Sequence, residues 1–267
     1  MQRTVPPVLP PPRRKWLNIV FDLNGILCHT AQKSSGEKFS PYQLQDNVLS
    51  HRNPTIIGPK AVYARQNIAE FLREVSSLAD RVLVWTSMFK RNAEPIAGHL
   101  FRGCKGPYDI LSQDQCSKIE VSPGRFFQIG IAVLCMKVLS EHLFTNVSGD
   151  TSFSPDNTLL IDDSPAKSIC NENGNAIFLR TWNQHERQDD VLMGELLPWL
   201  RRLDSNCQPG QLRRYVEENR IGLNPLRPDD YHVKDIINGM RESSKNMGSR
   251  YRLPGIGVVI EGGRVIE

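Results

Sequence analysis

The chain has 267 residues, 39% hydrophobic and 23% charged, with 33 Lys+Arg against 29 Asp+Glu and a formal charge of +4. That balance suits a soluble globular protein, and no apolar run approaches the roughly 18 residues that cross a bilayer, so no membrane span is expected. The small positive excess is spread out, with no Lys/Arg block interleaved with aromatics, and gives no sign of a nucleic-acid partner.

Residues 1–14 hold five prolines and three arginines, and no acid precedes Asp22. Arg without acids is a feature of mitochondrial presequences, but the prolines forbid the amphipathic helix such a signal needs. A disordered polyproline-type tail over 1–15 is the expectation. Ile19-Val20-Phe21, an apolar run ending in Asp22, predicts a strand buried on both faces. Residues 31–60 read as a long loop or insertion. Ile68, Phe71, Leu72, Val75 and Leu78 fall at helical spacing and predict a helix over about 62–79.

Val82-Leu83-Val84-Trp85 predicts a second buried strand ending in Thr86-Ser87, and 92–101 a short helix with Pro95 in its first turn. A helix is expected over 128–144 and a third strand over Thr158-Leu159-Leu160-Ile161, ending in Asp162-Asp163. Ser164-Pro165 reads as a helix start, Ser capping and Pro at the first helical position. Ala176-Ile177-Phe178-Leu179 predicts a fourth strand, 188–203 a closing helix kinked at Pro198, and 205–245 polar helix. The stretch 258–266 has hairpin chemistry with Gly262-Gly263 at the turn. Strands alternating with helices argue for an α/β fold with a mainly parallel sheet.

Cys28, Cys104, Cys116, Cys135, Cys170 and Cys207 form no C-x-x-C pair and read as reduced packing residues of an intracellular protein. The six histidines show no metal-ligand spacing. Trp85, Trp182 and Trp199 are expected in the core.

Three predicted strands end in polar groups: Asp22, Thr86 and Asp162-Asp163. In open α/β sheets the carboxyl ends of strands face one crevice, so these side chains can meet there. Carboxylates with a hydroxyl and a lysine suit Mg²⁺ and phosphate, because hard oxygens ligate the ion and cations offset the phosphate charge. A carboxylate in that position can attack phosphorus. Taken singly, the residues have plainer readings. Asp22 to Gly25 fits a type I′ turn, Thr86 and Ser87 fit strand-end caps, Asp162 and Asp163 fit caps of the next helix, and Lys137 fits a solvated helix position.

Together the motifs carry a resemblance. Asp22-Leu23-Asn24-Gly25-Ile26 resembles the first motif of haloacid-dehalogenase-superfamily phosphatases, Val84-Trp85-Thr86-Ser87 the second, and Leu160-Ile161-Asp162-Asp163-Ser164-Pro165 the third motif of the FCP/SCP branch. Glu195-Leu196-Leu197-Pro198-Trp199-Leu200 is similar to that branch's closing helix. The match covers about 16–203, with 204–267 left as a helical extension ending in a hairpin. The resemblance implies a Rossmann-like fold with a β-hairpin flap and an insertion after strand one. It also implies Mg²⁺-dependent attack by Asp22 on a phosphoserine or phosphothreonine protein, through an aspartyl-phosphate. Thr86, Ser87 and Lys137 would hold the phosphoryl group. Asp22, Asp162, Asp163 and the backbone carbonyl of Asn24 would hold the ion.

Asn24 departs from the family pattern: it replaces the Asp that protonates the leaving oxygen and activates water, and Ile26 replaces the usual Thr. An amide does neither job, and losing a general acid/base costs about 10²–10⁴-fold. An impaired phosphatase and a catalytically silent, protein-binding pseudophosphatase both fit. The family's mitochondrial import translocase subunit is a precedent for the second. An intracellular location, nuclear, cytoplasmic or mitochondrial, follows from the resemblance. Asn24-Gly25 is also a deamidation-prone pair, because Gly leaves attack on the side-chain amide unhindered.

Overall fold

A computed structural model describes residues 15–32, 53–121, 132–144, 152–186 and 188–266. Residues 1–14 of the predicted tail therefore lie outside the described residues, as do 33–52 of the expected insertion and the first part of the expected helix at 128–144.

Strand β1 (Asn18–Phe21) is buried at every position, as its apolar run requires in a parallel sheet. After it come β2 (Cys28–Gln32), β3 (Thr55–Ile57) and β4 (Lys60–Ala64), an antiparallel sheet of order β2-β4-β3 in the place of the expected flap. Helix α1 (Ile68–Leu78) starts after Asn67 at φ 59°, so Val62 and Tyr63, expected in the helix, belong to β4. Its predicted apolar stripe holds: Ile68, Phe71, Leu72 and Val75 are buried. Phe71 meets Phe21 edge-on, ring centroids 5.7 Å apart, an arrangement worth about 0.5–1.5 kcal/mol beyond burial.

Strand β5 (Arg81–Trp85) precedes α2 (Lys90–Leu100), in which Pro95 sits one turn deeper than expected. Then follow β6 (Ile110–Leu111), β7 (Ser117–Val121), β8 (Ala132–Met136) and α3 (Leu139–His142). Over its described residues the helix expected at 128–144 is thus corrected: β8 pairs antiparallel with β7, and of residues 132–144 only 139–142 are helical. The run Ala132–Met136 is apolar throughout, and periodicity alone does not tell a buried strand from a buried helix.

Strand β9 (Thr158–Asp162) leads into a 3-10 turn at Pro165–Ser168, with Pro165 in the first position but no side-chain cap from Ser164. After β10 (Ala176–Phe178), a π-helical turn at Val191–Leu196 runs into α4 (Leu197–Asn206), where Pro198 marks the start of the α-helix. The remaining elements are α5 (Leu212–Glu218), α6 (Tyr231–Met247), β11 (Arg250–Leu253), β12 (Val258–Glu261) and β13 (Arg264–Val265). The expected hairpin is present: β12 and β13 pair antiparallel across Gly262 and Gly263, whose φ values of 55° and 77° suit a turn that only glycine adopts cheaply.

The central sheet is parallel, in the order β10-β9-β1-β5-β6. In chain order its strands run outward from β1 in both directions. The topological switch therefore falls at β1, and the crevice opens where β1 and β9 end, as the Rossmann-like expectation requires. One face of the sheet packs on α1 and α4 through Phe21, Phe71, Leu196, Trp199 and Leu200. The other buries Val20, Leu83, Trp85 and Leu160 against Cys116, Cys135 and Leu139. A further core joins Ile119, Leu134 and Met136 of the β7–β8 pair to Val233, Ile236 and Met240 of α6 and Ile260 of β12. Trp182 is buried with the other two predicted core tryptophans, and none of the six cysteines is in a disulfide.

Candidate active site

Phe21 pairs with Val84 on one side and Ile161 on the other, so the chain leaves all three strands at one level. That register brings Asp22, Thr86 and Asp162 together although 140 positions separate the two acids (162 − 22). Asp22 anchors its own N–H on the Ile161 carbonyl at 2.8 Å. Carboxylate oxygens of Asp22, Asp162 and Asp163 lie within 4.8 Å of one another.

Lys137 completes the cluster. It is wholly buried at the end of β8, and its Nζ donates to Asp22 Oδ1 at 2.7 Å and to Asp162 Oδ2 at 2.5 Å. The plain reading of a solvated helix lysine is therefore corrected. Its backbone is clamped too: Lys137 N donates to the Lys167 carbonyl at 2.7 Å, and Asn171 Nδ2 donates to the Lys137 carbonyl at 2.7 Å.

Asp162 Oδ1 accepts from Ser164 N at 2.8 Å, so this acid caps the turn as well as facing Lys137. Asp163 Oδ2 accepts from Thr181 Oγ1 at 2.8 Å, and its Oδ1 lies 3.8 Å from Lys167 Nζ. Thr86 is buried, and its Oγ1 accepts from Met88 N at 3.3 Å, while Ser87 is half-buried beside it.

The charges shape one another. Burial raises the Asp22 carboxyl above the ordinary range, against the pull of Lys137. Asp162 is equally buried, yet Lys137, Lys167 and the Ser164 N–H together hold it below that range. Burial, then the charge of Asp22, pushes Asp163 up to about 6. Burial disfavours the Lys137 ammonium, but Asp162 and Asp22 override it and keep it protonated. The thiol of Cys116 is pushed up to about 11, chiefly by burial, which marks it as an inert packing group.

Asn24 turns toward the flap. Its Oδ1 accepts from Thr30 N at 2.8 Å and from Thr30 Oγ1 at 3.0 Å. The type I′ turn is not formed: Gly25 has φ 91°, but Asn24 keeps a negative φ. Gly25 N donates to the Cys28 carbonyl at 2.7 Å, which occupies the atom that deamidation of Asn24 would need as nucleophile. Gly25 is also where backbone and site meet, since a Cβ there would stand 2.3 Å from Asp163 Oδ2. Gly25→Ala is therefore expected to cost about 1–3 kcal/mol in strain and to push Asp163 aside. A lower Tm in thermal unfolding is the check, and a variant as stable as the parent contradicts it.

Sequence reasoning missed four supports. Lys167 had a signal, lying four residues after Asp163 where side chains of a helical turn meet. Thr181 and Asn171 sit in connections with no pattern to flag them. Arg65 and Asp189 form a buried bidentate pair at 2.5 and 2.9 Å, and Arg65 Nη1 also donates to the Ile26 carbonyl at 3.0 Å. That pair fixes the loop after Asp22, and opposite charges 124 positions apart carry no sequence signal.

Fold and site together define a Rossmann-like α/β protein whose acidic crevice is clamped by one buried lysine. Residues 17–210 match the family model described as NLI interacting factor-like phosphatase, and the chain belongs to that family. Two similar solved structures are Fcp1, an essential RNA polymerase II CTD phosphatase, and a variant of fission yeast RNA polymerase II CTD phosphatase Fcp1 bound to beryllium fluoride. The first is 17% identical with TM-score 0.44 and covers 87% of this chain and 65% of its own. The second is 16% identical with TM-score 0.40 and covers 90% of this chain and 68% of its own. This chain thus spans about two thirds of the length of these proteins. No curated protein matches it.

Proposed function

We propose that this protein is a Mg²⁺-dependent phosphoprotein phosphatase acting on phosphoserine or phosphothreonine, slowed by Asn24. The observation that carries the reading is the buried Asp22–Lys137–Asp162 arrangement with Asp163 beside it. The donor set fits the ion the family implies: three carboxylates offer hard oxygens within a space that one small cation spans. Asp22, Asp162, Asp163 and the Asn24 carbonyl would hold it, and when bound it supplies positive charge against the phosphate oxygens.

Asp22 attacks phosphorus as the bond from phosphorus to the serine or threonine oxygen breaks; that oxygen takes its proton from water, since Asn24 has none to give, and water then cleaves the aspartyl-phosphate to inorganic phosphate and free Asp22. Lys137 orients Asp22 and, with Thr86 and Ser87, steadies the equatorial oxygens, its own ammonium and the Thr86 hydroxyl lying buried at the strand ends. The unit over 16–203 carries this chemistry. The extension over 204–267 supports it through α6, which packs on the strands that present Lys137. No helix among the described residues is long and apolar enough to cross a membrane. Membership of the family supports a nuclear, cytoplasmic or mitochondrial location.

Asn24 favours a second reading, a silent scaffold that binds phosphoproteins in the same crevice. Mg²⁺-dependent hydrolysis of an aryl phosphate and a phosphopeptide by the parent and by Asp22→Asn separates the two. Turnover lost on Asp22→Asn is the expected result. No turnover by the parent, with phosphopeptide still bound, selects the scaffold.

A further inference from the structure

We propose that Lys167 is a built-in competitor of the divalent cation, setting how tightly this site holds Mg²⁺. The inference rests on the phosphatase reading and concerns how its metal occupancy is tuned.

The two lysines at the site are held differently. Lys137 is wholly buried with short contacts to two carboxylates. Lys167 stands 3.8 Å from Asp163 Oδ1, and its side chain keeps 22% of its surface exposed against 11% for Asp163. Its charge also reaches Asp22 and Asp162, lowering the proton affinity of both. It cannot drift far, because Pro165 opens the short turn that carries it and its carbonyl takes the N–H of Lys137. Lys167 thus lies against the one carboxylate of the three that Lys137 does not bond, on a side chain that is partly exposed.

Charge counting gives the consequence. The carboxylates of Asp22, Asp162 and Asp163 face the ammonium groups of Lys137 and Lys167, so an arriving cation meets a net charge of 3 − 2, one negative. Without Lys167 it would meet two. Repulsion between a single and a double positive charge a few ångströms apart, reduced by the solvent that reaches the partly exposed side chain, amounts to about a tenfold effect on affinity. Asn24 acts in the same sense by withholding a carboxylate next to the site. The protein thus tolerates the metal-free state well, and occupancy of the site follows the prevailing Mg²⁺ concentration.

The test is an isothermal calorimetric titration with Mg²⁺ at fixed pH and salt on the full chain, for the parent, Lys167→Gln, Lys167→Arg and Asp163→Asn. Lys167→Gln is expected to bind about tenfold tighter, and Lys167→Arg, which keeps the charge, to stay within about twofold of the parent. Asp163→Asn is expected to bind more weakly than the parent. Thermal unfolding gives a second reading of opposite sign. Lys167→Gln has a lower Tm than the parent without Mg²⁺, because its carboxylates repel one another more, and gains more from added Mg²⁺. A lysine that merely braced the turn would lower Tm at every Mg²⁺ concentration and leave affinity unchanged. Should Lys167→Gln fail to fold, Lys167→Met keeps the aliphatic stem and carries the same expectation. Equal or weaker Mg²⁺ binding by the neutral variants overturns the proposal, with the phosphatase reading untouched. Absence of Mg²⁺ binding in every protein overturns the metal site itself and this inference with it.

Discussion

Asn24→Asp is expected to raise turnover of a phosphoserine peptide by about 10²–10⁴-fold, the usual worth of a general acid/base. Phosphoserine leaves as an alkoxide, a poor leaving group unless a proton reaches its oxygen as the bond to phosphorus breaks. The Asn24 amide has no proton to give at neutral pH and no basic atom to activate water afterwards. The substitution requires no rebuilding. Asn24 uses only its Oδ1, accepting from Thr30 N and Thr30 Oγ1, and an aspartate oxygen accepts both. The leaving group supplies an internal control. An aryl phosphate departs as a stabilised phenolate and needs less help, so the gain with it is expected to be smaller. Steady-state kcat for both substrates, parent against variant, makes the comparison. A variant that binds Mg²⁺ and phosphopeptide yet turns over neither substrate places this crevice outside phosphoryl transfer.

Lys137→Met is expected to lower stability by about 3–5 kcal/mol near neutral pH, the range for removing one partner of a buried ion pair. Methionine fills similar space, so loss of charge rather than a cavity dominates. Asp22 and Asp162, both buried, would then stand without the cation that lies 2.7 and 2.5 Å from them. The sign of the pH dependence follows from linkage. Without Lys137 both carboxyls are raised in the folded state above their unfolded range, about 3.9. Such groups cost nothing below the unfolded value, where both states are protonated, and destabilise progressively as the pH climbs through it. The gap between parent and variant is therefore expected to narrow from pH 7 toward pH 4 and to narrow with added Mg²⁺, which supplies replacement charge. Denaturant unfolding across that range is the measurement. A gap independent of pH would assign the loss to packing instead.

The residues that could be read from sequence share one property: the chemistry that places them is local. Asp22, Thr86, Asp162 and Asp163 each end an apolar run, and a run buried on both faces of a parallel sheet declares its strand and its end together. The Gly262-Gly263 turn was legible for the same reason. The element that carries Lys137 is not legible in the sequence, because an apolar stretch beside it fits strand and helix equally until pairing with β7 is known. The boundary between β4 and α1 is blurred in the sequence because the flap strand and α1 are both rich in apolar residues, and the left-handed Asn67 between them gives only a faint signal. Thr181, Asn171, Arg65 and Asp189 carry no sequence signal, since each acts on a residue distant in the chain.

By itself the sequence determined the parallel α/β architecture, the three strand-end acids and the amide at position 24, because periodicity and residue type act within a few positions. Only the tertiary structure decided that Lys137 is a wholly buried cation bridging Asp22 and Asp162, and that Lys167 lies against Asp163. Bringing charges from separate elements to one point requires strand register and crossover, and those are settled by burial over the whole chain rather than by any one segment.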